Sequence, residues 1–149
     1  MADNPTNLPS GLTFRFEADP SVDMRRALGV AINAFHARSV PFEVERFGLW
    51  LNDEGGKLAA GLSGALSWGW LFVEGLWVDD DWRGQGVGRA LMGHAEAHAR
   101  ERECHSAWLD TFQARGFYEA LGYVPFGELE DYPPGQSRYF LRKRLVATS

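Results

Sequence analysis

The sequence predicts a mixed α/β fold, in which one sheet carries helices on both faces. Short apolar segments with strand-like patterning alternate with segments of helical periodicity, and this order is typical of such a sheet. With 149 residues, 45% of them hydrophobic, the chain is long enough for one domain with its own core. No repeat, composition break or linker divides it. We therefore expect one domain over residues 1–149, with residues 1–10 as a flexible tail.

The N-terminal region predicts a strand followed by a helix. Residues 12–17 alternate apolar and polar side chains, as a half-buried strand does. Ser21 is positioned to cap a helix that should end before Pro41. The apolar residues with helical spacing are Leu28, Ala31, Ile32 and Phe35.

A hairpin and a third strand are predicted next. Residues 47–51 and 57–66 have strand patterns and are joined by residues 52–56, whose two glycines allow a tight turn. A second turn at residues 68–70 leads into a strand over residues 71–78. That strand runs directly into a glycine-rich loop.

The loop at residues 83–88, with the sequence RGQGVG, predicts an anion site. Glycine at alternate positions lets successive backbone N–H groups point at one anion without obstruction by Cβ atoms. A helix that begins near Val87 adds its unsatisfied N–H groups and the positive end of its dipole. A diphosphate fits these properties.

Two other phosphate-binding motifs do not fit this loop. A dinucleotide fingerprint would need a third glycine where Arg89 stands, and its acidic residue would be Glu103, inside the helix. A P-loop would need Gly-Lys-Ser or Gly-Lys-Thr, and no such triplet follows. The sequence thus disfavours a dinucleotide or a nucleoside triphosphate.

The remaining elements follow in the second half of the chain. The helix after the loop should turn a polar stripe to solvent and pack by its opposite face, which carries Leu91, Ala95 and His98. The stripe consists of Arg89, Gly93, Glu96, Arg100 and Glu103. Three strands and one short helix complete the prediction: a strand over residues 107–111, a helix over 114–121 ended by Gly122, and strands over 123–129 and 137–145, with a loop at 131–135.

Two motifs in the right order resemble the GNAT superfamily of N-acetyltransferases. Arg83-x-x-Gly86-x-Gly88 is similar to its acyl-CoA signature, and residues 114–123, ARGFYEALGY, are similar to its Ala-x-x-Phe/Leu-Tyr-x-x-x-Gly-Phe segment. The resemblance covers roughly residues 70–125, and the last strand looks like the family's closing strand. It implies a mostly antiparallel mixed sheet of about six to seven strands. A splayed parallel pair, formed by the strands at residues 71–78 and 107–111, would hold the pantetheine arm.

The resemblance implies an acetyl-CoA-dependent N-acetyltransferase without a metal. The acetyl group would pass directly to a primary amine of a small molecule, or to a lysine or N-terminal amine of a peptide. Thr111 stands where the family commonly has Asn, and Gln113 is the candidate to replace it. This departure keeps open an alternative, a catalytically inactive acyl-CoA-binding regulatory or interaction module. The residues expected to bind the cosubstrate are Leu76, Trp77, Val78, Arg83, Gly84, Gln85, Gly86, Val87, Gly88, Arg89, Thr111 and Gln113.

Acetyl transfer also needs an acid for the leaving thiolate and a base for the amine. Tyr118 occupies the family's tyrosine position, and a phenol with pKa about 10 can protonate a thiolate whose conjugate acid has pKa about 8.5. Glu74 is our candidate base, because it lies in an otherwise apolar strand two residues before Leu76 and should share its face. The competing carboxylates near the Pro-rich loop are Glu128, Glu130 and Asp131.

Histidines and tryptophans suggest further sites. His94, His98, Cys104 and His105 cluster in sequence, but Glu96 falls two residues after His94, so the H-E-x-x-H metal motif is absent. We therefore expect no metal. Of the six tryptophans, most should pack in the sheet, and Trp50 or Trp70 is the candidate to wall an acceptor pocket.

Charge and cysteine content limit the partners and the compartment. Fifteen Lys and Arg against 20 Asp and Glu give a net charge of −5, which disfavours nucleic acid and anionic membranes and slightly favours a cationic acceptor. One cysteine, no signal-peptide pattern in the first ten residues and no apolar run near 18 residues lead us to expect a cytoplasmic protein. The resemblance implies that a homodimer through the C-terminal strands is the oligomer to test.

Overall fold

The structure is a computed structural model that describes residues 8–146. Its contacts divide the chain into two compact units, with the boundary between Phe42 and Glu43. The first unit contains helix α1, Val22–His36. The backbone N–H of Met24 donates to the Ser21 hydroxyl over 3.2 Å, so the predicted cap is confirmed, and the helix ends before Pro41 as expected.

The predicted strand over residues 12–17 is wrong. These residues form an irregular segment ahead of α1. Alternating side chains define which face of a strand is apolar, but a strand forms only where a neighbour takes up its backbone hydrogen bonds. Among the described residues of the first unit, no strand does so. Most of the expected tail, residues 1–7, lies outside the part of the chain that the structure describes.

The second unit holds one six-stranded sheet, within the range that the family resemblance implies. The strands are β1 Glu45–Asn52, β2 Leu58–Ser67, β3 Trp70–Val78, β4 Ser106–Thr111, β5 Val124–Glu130 and β6 Ser137–Arg144. Their order is β1-β2-β3-β4-β6-β5, and every neighbouring pair is antiparallel except β3 and β4. The helices are α2 Val87–Glu101 and α3 Arg115–Ala120. Each predicted element of this unit is present within two residues of its expected bounds.

One face of the sheet forms the core with α2. Alternate residues of the central strands project to this face, where Leu62, Leu71 and Leu109 are at most 1% exposed. Leu91 and Met92 of α2 pack in the same cluster, as the periodicity of the helix predicts. Burial of these apolar side chains fixes α2 against β2 and β3, so the glycine loop at its N-terminus is held at one end of the sheet.

The polar stripe predicted for α2 needs one correction, because Glu96 is buried. Its side chain is 7% exposed and accepts hydrogen bonds from the Tyr123 hydroxyl at 3.0 Å and from Lys143 Nζ at 2.7 Å. Burial, followed by the charge of Glu96, raises the pKa of Tyr123. Helical spacing alone does not show that Lys143 of β6 and Tyr123, which directly precedes β5, supply partners for this carboxylate. These hydrogen bonds tie α2 to both places in the chain.

The parallel pair separates along its length. β3 and β4 pair only at Trp70–Ser106, Leu71–Ala107 and Phe72–Trp108. Beyond this point β3 runs on to Val78 beside β2 alone, which leaves a gap between the two strands. A register shift between Ser63 and Gly64 of β2, opposite Glu74, marks a bulge in β3. The splayed pair that the resemblance implies is thus confirmed.

Candidate active site

A cleft of 520 Å³ opens where β3, the glycine loop, α2 and α3 meet. It contains most of the residues predicted to bind the cosubstrate, together with Tyr118. The lining residues are Leu76, Trp77, Val78, Trp82, Arg83, Gly84, Gly86, Val87, Gly88, Arg89, Gln113, Ala114, Phe117 and Tyr118. Of these, Trp82, Ala114 and Phe117 were not among the predicted site residues, although Ala114 and Phe117 belong to the family-like segment that starts at Ala114.

The glycine loop presents a row of backbone donors. Gly84 and Gly86 have φ angles of +74° and +82°, which side chains rarely allow, and a Cβ atom at either position would meet nothing within 4 Å. The N–H groups of residues 84–89 donate to no acceptor among the described residues, and the first helical bond at this end runs from Ala90 N to Gly86 O. Six consecutive donors at a helix N-terminus are suited to an anion such as a diphosphate.

Two polar side chains of the loop point back to the backbone that precedes it. Arg83 Nε donates to Val78 O at 3.0 Å, and its guanidinium pairs with Asp80. Gln85 Nε2 donates to Asp81 O at 3.1 Å, and Gln85 does not line the cleft. Both bonds brace the turn between β3 and α2, while the Arg83 side chain remains exposed enough to swing toward an anion.

The edge of β3 that faces the gap offers backbone groups for an extended ligand. Asp79 N donates to Ala59 O on the β2 side at 2.8 Å. Because hydrogen-bonding direction alternates along an antiparallel strand, the backbone groups of Leu76 and Val78 point away from β2, into the gap. Of these groups, Val78 O already accepts the hydrogen bond from Arg83 Nε. An extended ligand with amide groups, such as a pantetheine arm, could pair with them as an added strand does.

Tyr118 closes the cleft from the α3 side. The side chain is buried and packs edge-on against the rings of Phe117 and Tyr123, and its hydroxyl has no hydrogen-bond partner within residues 8–146. Burial, and to a lesser extent the charge of Asp110, raises the pKa of Tyr118. The phenol therefore keeps its proton over a wide pH range, as a general acid must.

Asp110, which the sequence analysis did not single out, lies near enough to Tyr118 for its charge to contribute to the raised pKa of that phenol. Leu109 is buried on the α2 face, so Asp110 lies on the opposite face at the open end of β4. Arg138 Nη1 donates to it at 2.7 Å, and the ring of Tyr132 lies 4.1 Å from that guanidinium. The sequence signal that could have identified Asp110 is a carboxylate at the end of an otherwise apolar strand. Its partner comes from β6 and could not be read from local sequence.

The two candidates for the family's Asn differ in position. Thr111 does not line the cleft, and its hydroxyl accepts a hydrogen bond from Ala114 N at 3.1 Å. It thereby stabilises the turn into α3. Gln113 lines the cleft. The geometry favours Gln113 over Thr111 as the residue available to a ligand.

The structure corrects the environment expected for Glu74. Its side chain is exposed, it lies outside the cleft that contains Tyr118, and it lines a second cavity instead. The cause is the bulge, because an extra residue in β3 reverses the alternation and separates Glu74 from the face of Leu76. The competing carboxylates Glu128, Glu130 and Asp131 are exposed, and Asp131 accepts a hydrogen bond from Gly135 N within its loop.

The described residues contain neither a cluster of metal ligands nor a helix suited to span a membrane. No group of three or more His, Cys, Asp or Glu side chains within residues 8–146 is arranged to hold a metal ion. Cys104 is buried, and burial raises the pKa of its thiol, which makes it a poor nucleophile. In the described part of the chain, no helix is both long and apolar enough to cross a membrane.

Comparison with known proteins gives a consistent picture. The acetyltransferase (GNAT) family model matches residues 15–123. A blasticidin-S acetyltransferase of Streptomyces morookaense is 44% identical over 108 residues, which cover 70% of this chain and 78% of that protein. An acetyltransferase of Agrobacterium fabrum is 34% identical over 116 residues, covering 71% and 85%. The crystal structure of an acetyltransferase from Bacillus cereus superposes with a TM-score of 0.77 at 28% identity, covering 87% of this chain and 97% of that one.

Proposed function

Because this chain belongs to the GNAT family of acetyltransferases, we propose that it transfers the acetyl group of acetyl-CoA to the primary amine of a small molecule. The family match and the acetyltransferase relatives establish acetyl transfer to an amine as the general activity. Our proposal adds the identity of the cosubstrate, the class of acceptor and the catalytic residues.

The six free N–H groups of residues 84–89 carry the assignment of the cosubstrate. Their position in the loop and first turn at the N-terminus of α2, most of which lines the cleft, supports binding of the diphosphate of acetyl-CoA, with Arg83 and Arg89 adding positive charge. The free edge of β3 at Leu76 and Val78 supports pairing with the pantetheine amides. The thioester would then lie in the gap between β3 and β4, close to Tyr118.

In the proposed reaction a neutral amine attacks the thioester carbonyl directly. A C–N bond forms, the C–S bond breaks, and Tyr118 donates its phenolic proton to the departing thiolate, while the proton that the attacking nitrogen loses as it becomes an amide restores the phenol. The ammonium form of the acceptor must lose a proton first, because an alkyl amine with pKa about 10.4 is almost wholly protonated at pH 7. Glu74 faces the side of the sheet opposite Tyr118. We propose that the amine approaches the gap from that side, and that Glu74 receives its proton directly or through water.

The acceptor that we favour is an amine of the antibiotic type. The relative with 44% identity is named for blasticidin S, and identity at that level over 70% of the chain supports a related acceptor here. Lysine or N-terminal amines of peptides are the second candidate class.

Thermal unfolding with and without acetyl-CoA tests the cosubstrate. A ligand at 100 times its Kd should stabilise the fold by about 2.7 kcal/mol, which raises the unfolding midpoint measurably. NAD and ATP serve as controls and should leave the midpoint unchanged, because the loop lacks both of their motifs. A folded protein that acetyl-CoA does not stabilise would contradict the diphosphate assignment of residues 84–89.

Release of free CoA from acetyl-CoA across an amine panel tests turnover and acceptor. The panel comprises blasticidin S, an aminoglycoside, spermidine and a lysine-containing peptide. We expect release with blasticidin S or a related small molecule. Stabilisation by acetyl-CoA without release on any amine would favour the alternative of an inactive acyl-CoA-binding module.

A further inference from the structure

A second cavity, of 670 Å³, lies on the face of the sheet opposite α2. Phe72 and Trp108 line it and form the last paired positions of β3 and β4. Their rings stack, with centroids 4.2 Å apart and planes inclined by 16°. The cavity therefore adjoins the point at which the gap opens, on the side away from Tyr118.

The floor of this cavity is aromatic and fixed in place. Trp70, two residues before Phe72 on β3, also lines the cavity, and its ring packs against the ring of His105 at 5.5 Å and 77°. Aromatic rings held in this way attract planar groups by stacking and cations by their negative faces. Because Phe72 and Trp108 each cover one face of the other, a planar ring would pack against an outer face of this pair.

Charged side chains of both signs surround the floor. Arg46 of β1, Glu74 of β3 and Arg142 of β6 line the cavity, and all three are exposed. Within residues 8–146 neither arginine has an acidic partner and Glu74 has no basic partner; Arg142 lies over the ring of Phe126 at 5.7 Å. Guanidinium groups bind carboxylates with a fitting geometry, and Glu74 would attract an ammonium group.

We propose that this cavity is the acceptor site and takes a compact amine that also carries a planar ring and a carboxylate. The ring would pack against an outer face of the Phe72–Trp108 pair, the carboxylate would pair with Arg142 or Arg46, and the amine would reach the gap beside Glu74. The inference rests on the proposed function, because it requires the thioester to lie in that gap. The volume is typical of small-molecule sites, which range over about 300–1,000 Å³, and this favours a small molecule over a peptide.

Steady-state kinetics with the best acceptor of the amine panel test the aromatic floor. Trp108→Leu should raise the KM of the acceptor about tenfold and leave the KM of acetyl-CoA within about twofold, because only the acceptor contacts the ring. Trp50→Leu is the matched control: its ring lies on the same face, over Gly48 and Gly61, and does not line the cavity. Equal effects of the two variants would overturn the assignment of the floor.

A second variant tests recognition of the acceptor's carboxylate. It replaces an exposed side chain, so the result does not depend on whether Trp108→Leu folds. Arg142→Gln should raise the KM of the acceptor, and methyl esterification of the acceptor should have little additional effect in that variant. Arg144→Gln, on the same strand and face, is the control. A best acceptor without a ring or without a carboxylate would contradict the proposal. Absence of CoA release with every amine would overturn the proposed function itself, and the inference with it.

Discussion

Tyr118 is the residue whose chemistry the structure constrains most. Its side chain lines the cleft and packs against aromatic rings that offer no competing hydrogen-bond acceptor. Removal of the hydroxyl should therefore cost the proton for the leaving thiolate and little else. We expect Tyr118→Phe to lower kcat by about 10²- to 10⁴-fold with a nearly unchanged KM for acetyl-CoA. Steady-state kinetics check this, and an unchanged kcat would remove Tyr118 from the mechanism.

Tyr118 should also determine how kcat falls at alkaline pH. Burial raises the pKa of Tyr118, so the phenol should lose its proton only above the ordinary tyrosine value of about 10. As the pH rises through that raised value the acid is lost, and kcat should fall. In Tyr118→Phe this limb should disappear. If the variant keeps the same alkaline decline, another group is responsible for it.

Gly86 carries a backbone conformation that a larger residue would strain. Its φ is +82° and its missing Cβ faces open space, where we expect the diphosphate. Gly86→Val should thus abolish the thermal shift produced by acetyl-CoA. Gly93→Ala, in the middle of α2 with nothing near its Cβ position, is the control; it should keep the shift and stabilise the fold by up to about 1 kcal/mol. A normal shift in folded Gly86→Val would disprove our placement of the diphosphate.

At the scale of the element, Glu96 holds α2 to the rest of the sheet. Its carboxylate receives the Tyr123 hydroxyl and Lys143, and Arg100 lies 3.9 Å away. Glu96→Ala would leave those buried or half-buried donors without their acceptor, and we expect a loss of about 2–3 kcal/mol in the free energy of unfolding. Urea unfolding measures it. Glu101→Ala, exposed on the same helix, should change stability by less than about 0.5 kcal/mol, and an equal loss in both variants would contradict the role of Glu96.

The elements differ in how far the sequence predicts them. The glycine loop, α2 and the strands of the second unit follow from local patterns, because periodicity and turn residues act over a few positions. Glu74 and Glu96 could not be placed in this way. The face of Glu74 depends on a bulge defined by pairing with β2, and the burial of Glu96 depends on partners 27 and 47 residues away. Residues 12–17 have the pattern of a strand but form none, because no neighbouring strand among the described residues takes up their backbone hydrogen bonds.

For the molecule as a whole, the family match supports a single catalytic domain. It runs from residue 15 to residue 123 and so crosses the boundary after Phe42 that separates the two compact units. We propose that both units belong to one acetyltransferase domain. The sequence suggests the same, since its composition does not change at that boundary.

We expect two copies of the chain to associate through the edge strand β5. It lies at one end of the sheet and exposes Val124 and Leu129, at 61% and 48%. Unprotected edges can pair with another chain, so we expect a homodimer with twice the 16.7 kDa of one chain in light scattering after size exclusion. Val124→Lys should shift the mass toward the monomer. A monomeric mass for the unmodified protein would rule out this dimer.

The free N–H groups of residues 84–89 have a consequence for exchange with deuterated water. Hydrogen-bonded amides inside α2 exchange only when the helix opens, whereas donors without a protein acceptor have no such protection. These six amides should therefore exchange rapidly in the free protein and slow down as a diphosphate occupies them. Their exchange would report occupancy of the cleft residue by residue, whether or not an acceptor amine is present.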